Sequence, residues 1–136
     1  MIRSVFTWVT RQFVAREAIS GAKGDAVAHW DAIRKLFSLD REVRVGRVGG
    51  SARVPPQYVV LGLIADQRYE EFLLRNCTDD DPIVAAYCCR ALFLSRSSLL
   101  AEAVRSVSER REPVAVTRGI IVSGWRASRL TRRMVR

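Results

Sequence analysis

Arginine is the side chain of this sequence with the most capacity for recognition chemistry. Eight arginines fall into two clusters, Arg41, Arg44, Arg47 and Arg53 in one, and Arg126, Arg129, Arg132 and Arg133 in the other. A guanidinium is a permanent cation whose planar fork of donors matches carboxylates and phosphates. Each cluster is therefore a candidate partner-binding site, able to grip an acidic protein surface or to neutralise phosphates without reading bases. The first cluster is threaded with Gly46, Gly49 and Gly50, which let backbone approach a ligand closely. It lacks the Lys-Ser/Thr ending of a phosphate-binding loop and has no interleaved aromatic for base stacking. In the second, Arg126, Arg129 and Arg133 would share one face of a helix, with Trp125 beside them.

The remaining reactive side chains do not assemble into a catalytic or metal-binding set. His29, the single histidine, is followed by Trp30 and Asp31, but neighbours in a helix point to different faces and no nucleophile motif accompanies it. It reads as a surface or packed histidine. Cys77, Cys88 and Cys89 are odd in number and lie in apolar helical context, so a disulfide framework is not expected and a reducing cytoplasm is the simpler setting. With one distant histidine they supply no four-ligand metal site. Asp79, Asp80 and Asp81 lack the spacing of a calcium loop and read as helix caps. Glu70 and Glu71 point apart on a helix and are no hydrolase pair. No catalytic residue, cofactor or metal site is assigned, and a non-enzyme is expected.

The elements that must position the arginines follow from periodicity. At 136 residues and 49% hydrophobic, the chain is one domain's length and can bury a core without staples. Its 23 Lys plus Arg against 14 Asp plus Glu give a net charge of +9, a field that favours acidic partners. Arginine's dominance over lysine, represented only by Lys23 and Lys35, is also the bacterial-type composition that a GC-rich coding genome produces. No run of 18 apolar residues predicts a transmembrane span, and the apolar residues of the first segment are periodic rather than continuous, unlike a signal peptide.

Ile2, Val5, Phe6, Val9 and Phe13 make a helical stripe that predicts a first amphipathic helix over about 2–19. Such a stripe is either core, the more usual outcome, or a basic face able to rest on an anionic membrane. Ser20 to Gly24 is expected to break it, and a second helix is expected from an Asp25 cap to Ser38. Residues 39–54 predict a basic loop or short hairpin. Pro55-Pro56 opens a buried helix to about Asp66, a further helix follows from Gln67 or Arg68, and Leu99 to Ser108 predicts another. Between them, Asp80 or Asp81 and Pro82 start a helix whose stripe is Val84, Cys88, Ala91, Leu92 and Ser95. The β-branched residues of 113–124 fit either strand or helix.

Reading from Pro82, Val at +2, Cys88 at +6, Ala91 at +9 and Leu92 at +10 resemble the second helix of HEAT-type repeats, closest to the phycobilisome-lyase-like variety. Pro56 with Gly62 and Ala65, and Pro113 with Gly119 and Val122, repeat the +6 and +9 spacing. The resemblance implies an all-α domain over 1–136. Two N-terminal helices (1–38) and the Gly/Arg-rich loop or hairpin (39–54) would precede HEAT-like stacked hairpins (55–124) and a basic tail (125–136), with 113–124 helical by analogy. It also implies a non-enzymatic protein-interaction module whose basic surface takes an acidic protein partner. The alternative is a nucleic-acid-binding protein using its arginine clusters on phosphates.

Overall fold

The segment Pro82–Leu94 forms helix α5, and the remaining helices are packed around it. The structure, a computed structural model, describes the backbone of residues 2–40, 42–48, 54–110, 113–119 and 121–126, and side chains within 7–40 and 54–110. Asp81, in extended conformation, accepts a hydrogen bond from the Ile83 amide at 2.9 Å, and Pro82 takes the first helical position. Ile83 to Cys89, Ala91 and Leu92 are all buried. A helix apolar on every side has to be enclosed on every side.

Five further helices are described: α1 (Ile2–Gly24), α2 (Trp30–Leu39), α3 (Pro56–Gln67), α4 (Glu70–Asn76) and α6 (Leu100–Ser108). Helices α2, α3, α4 and α6 all pack on α5, and α1 lies outside, on α2 and α3. An aromatic chain links the layers. Tyr87 of α5 stacks on Phe37 at 4.4 Å between ring centroids, Trp30 meets Phe37 edge-on at 6.2 Å, and Phe72 of α4 meets Trp30 at 5.1 Å. Each such pair adds about 0.5–1.5 kcal/mol beyond the area it buries.

Polar clamps hold the connections. The Arg34 fork donates to both oxygens of Asp79, from Nε at 2.9 Å and from a terminal nitrogen at 2.7 Å. Arg110 donates to the carbonyls of Asp79 and Asp80, so α2 and the end of α6 grip the same α4–α5 turn. Burial works against ionising Asp79, but the Arg34 hydrogen bonds, the Asp81 amide and the nearby positive charge outweigh it, so its carboxyl titrates below the usual 3.8. At the other end, Gln67 accepts from the Ala26 amide at 2.9 Å and donates to the Ala22 carbonyl, tying α3 to the turn after α1.

The expectation of helices holds across 2–39 and 56–108 and fails at 113–124, while the loop or short hairpin expected at 39–54 contains a strand. The strand within 39–54 pairs with the far end of the chain, and 113–119 and 121–126 are strands, not the helix favoured by the repeat analogy. Glu42–Val48 is strand β1, Pro113–Gly119 is β2 and Ile121–Arg126 is β3, in the sheet order β1-β2-β3. β1 runs parallel to β2, pairing Glu42 with Ala115 and Arg44 with Thr117, and β2 and β3 form an antiparallel hairpin. Between Arg44 and Val48 the register shifts against Thr117 and Gly119, and Gly46 lies within that irregular stretch. β1 lies against α3 and α5. Among the described residues there are thus six helices and a three-stranded mixed sheet, and the Pro113 unit drops out of the repeat template.

Two smaller corrections concern α1. It runs through Ser20-Gly21 to Gly24 instead of breaking there. Gly21 is buried, and a Cβ added to it would meet the His29 Cβ at 2.5 Å. This glycine permits close approach of the 25–29 turn; it does not end the helix. That turn opens with the Asp25 carboxylate accepting from the Val27 and Ala28 amides, so α2 begins at Trp30, later than the cap suggested.

Candidate interaction surface on the first helix

Helix α1 carries two faces. Val14, Ala18 and Ala22, spaced by four, are its buried face. At about 100° per residue, Val9 and Phe13 fall on nearly the opposite side. They are not core, as their stripe predicted: Val9 is 52% exposed, Phe13 61% and the adjacent Trp8 61%. Ile2, Val5 and Phe6 share the helical segment with them. The reason is reach. Twenty-three residues make a helix about 34 Å long, and its partners α2 and α3, with 10 and 12 residues, span about 15 and 18 Å. They cover the C-terminal part of α1, reach Arg11 through Asp40, and leave the side chains of Trp8, Val9 and Phe13 as an uncovered overhang.

The overhang is part of a larger surface. Among the described residues, seven large apolar side chains are exposed, and five of them line two adjoining depressions. One, of about 260 Å³, is lined by Trp8, Val9 and Phe13 with Gln12 and Arg16. The other is a cleft of about 620 Å³ between α1, α2 and α3; it shares Gln12 and Arg16 and adds Val54 and Val59. Scattered exposed apolar side chains are ordinary, but their concentration on one side marks a contact surface.

The polar groups here are unevenly paired. Asp40 sits in the cleft wall, ion-paired with Arg11 and accepting from Gln57 Nε2 at 2.8 Å. Arg16 and Lys23, both exposed along the same side of α1, have no carboxylate within ion-pair distance among the described residues. The surface is therefore apolar with an excess of positive charge.

The arginines singled out by sequence fall elsewhere. Arg44 and Arg47 lie on β1, and Arg126 is the last residue of β3, so β2 separates the two groups on opposite edges of the sheet. Arg126 consequently belongs to a strand, not to a helical tail. Arg41, Arg53, Arg129, Arg132 and Arg133 lie outside the described residues. The signal that finds the α1 surface was present in the sequence, in Trp8 beside the Val9–Phe13 stripe, but it read as core.

The other candidates behave as structural groups. His29 is exposed, and its Nδ1 lies 2.9 Å from the Asp25 carbonyl. All three cysteines are buried free thiols, and burial raises their pKa values, that of Cys89 to about 12, so they carry no thiolate at neutral pH. No helix among the described residues is long and apolar enough to cross a membrane, and no group of metal-ligating side chains occurs among them. Neither the family models, the curated proteins nor the solved structures include a match to this chain.

Proposed function

We propose that this chain is a non-enzymatic protein-interaction module of helical-repeat type, in which the hairpins α3–α4 and α5–α6 form a scaffold that holds α1 outward. The occupant of the α1 surface is an acidic amphipathic helix of a partner protein. The observation that carries this reading is the clustering of Trp8, Val9, Phe13, Val54 and Val59 on one side, with Arg16 and Lys23 among them. Tryptophan and arginine are the residues most enriched at interface hot spots. An apolar stripe spaced for a helix, flanked by cations that meet no described carboxylate, complements a helix that is apolar on one face and acidic at its margins.

The test is site-directed photo-crosslinking in the native cell, with a benzophenone amino acid at position 13 and, as control, at position 94. The expected result is an adduct with an acidic protein from position 13 alone. That protein, purified, then binds the chain in a salt-sensitive manner and loses most of its affinity to Trp8→Asp. An adduct with nucleic acid, or with a second copy of this chain, or equal adducts from both positions, would overturn the proposal.

A further inference from the structure

The two depressions form one groove along α1, and its ends differ in chemistry. Trp8, Gln12, Arg16, Ile19 and Lys23, spaced by four, four, three and four, make a single stripe that lines it throughout. Trp8 to Lys23 spans about 22 Å, or roughly four turns. Asp40 bridges Arg11 to Gln57 at the start of α3, and Gln67 at the end of α3 donates to the Ala22 carbonyl. α1 and α3 therefore run in the same direction, and Val54 and Val59, at the start of α3, lie toward Trp8 and Phe13 and away from Lys23. The groove is apolar at that end. Arg11, the cation there, is already engaged by Asp40, so the excess positive charge lies with Arg16 and Lys23, about 10 Å apart along the helix.

We infer that the partner helix lies antiparallel to α1, with its carboxylates in its first two turns over Lys23 and Arg16 and its apolar anchors in its last two turns over Phe13, Val9 and Trp8. Carboxylates are favoured at a helix N-terminus, where the dipole is positive. A parallel partner would have to carry them in its last turns, at the negative end of its own dipole. An antiparallel helix also sets its dipole against those of α1 and α3, which point the same way, and not alongside them. The partner segment is thus about four turns long, acidic first and apolar last, with both sets on one stripe at three- and four-residue spacing. This direction rests on the reading of the occupant as an acidic amphipathic helix and adds the order of its sequence.

The probe is an N-acetylated, C-amidated alanine- and glutamine-based peptide of about four turns. It carries three glutamates and then three leucines, alternately three and four residues apart, with a nitroxide at its N-terminal end. Titrated into isotope-labelled wild-type protein and followed by nuclear magnetic resonance, it is expected to broaden the amides of residues 20–24 more than those of 7–10, and a nitroxide at its C-terminal end reverses the pattern. Lys23→Glu, at an exposed position, lowers the affinity about fivefold, and exchanging the peptide's first glutamate for lysine restores it. Stronger broadening of 7–10 from the N-terminal label, or equal broadening at both ends, overturns the direction and leaves the acidic helix standing as occupant. No broadening at either end with millimolar peptide at low salt removes that occupant as well, and the direction with it.

Discussion

Helices α5 and α1 both carry apolar residues at helical spacing, yet nine of the 13 residues of α5 are buried, whereas Trp8, Val9 and Phe13 of α1 stand exposed. Periodicity reports that a face is apolar; whether it is covered depends on the lengths and positions of other elements. α5 is 13 residues long, about 20 Å, and four helices of comparable length close around it. α1 is nearly twice as long, and its buried residues Val14, Ala18 and Ala22 all lie in its second half among the described side chains. The first helix is thus built for display and α5 for enclosure.

The comparison is broken most severely by emptying the enclosed helix. Tyr87→Ala removes the ring stacked on Phe37 from a site with no exposure, and truncating a buried aromatic costs about 3–5 kcal/mol. Leu92→Ala, also fully buried, is expected to cost about 2–5 kcal/mol. Urea unfolding followed by circular dichroism measures both, and a loss below 1 kcal/mol would show that α5 is not the centre of the core.

Next in size is Gly21→Ala. Its new Cβ meets backbone-fixed His29 Cβ, an overpacking expected to cost about 1–3 kcal/mol. His29→Ala cannot relieve it because the clash is with Cβ itself, whereas His29→Gly can. A double-mutant cycle with His29→Gly therefore returns a favourable coupling; additive losses would refute the contact.

These two regions also differ in how legible they were. The α5 cap, its Pro82 start and its stripe were readable, because a capped helix is local and Val84, Cys88, Ala91, Leu92 and Ser95 all turned out buried. Cap and start are written in adjacent residues. The sheet was not readable in that way. Glu42 pairs with Ala115, 73 residues away in sequence, so the valines of β1 had no local partner to identify them as a strand, although β2 had one in the neighbouring β3. For 113–124 the β-branched composition was the better guide and the repeat spacing the worse one. The candidate surface was least legible of all: Val9 and Phe13 read as core, and their exposure follows only from where α2 and α3 end.

A mid-sized effect sharpens the picture at the joint between the two regions' supports. Asp79→Asn removes the charge that Arg34 grips while keeping the side chain's shape. Arg34 is partly exposed, so solvent screening limits the loss to roughly 1 kcal/mol. Because the folded-state pKa of Asp79 is depressed, its contribution is fully present above the ordinary value of 3.8 and is lost as pH falls through the lower folded-state value. Wild-type and Asp79→Asn proteins should then differ in thermal midpoint at pH 7 and converge toward the acid limit. A gap that widens on acidification would reverse the sign and remove the Arg34 pairing as its cause.

The smallest expected effect on stability is on α1. Trp8 and Phe13 are each 61% exposed, so Trp8→Ser with Phe13→Ser deletes little buried area and leaves no cavity. Substitutions at such sites usually fall within about 0.5 kcal/mol of neutral, in contrast to the several kcal/mol expected for Tyr87. A larger loss would show that the overhang is packed on part of the same chain and is not open to a partner. The same double substitution should leave far-ultraviolet circular dichroism unchanged while lowering the binding of a hydrophobic dye such as bis-ANS, since the largest exposed aromatic surface has gone. If stability is unchanged but dye binding is also unchanged, the exposed apolar surface of the molecule lies somewhere other than α1, and the display half of the comparison has to be abandoned.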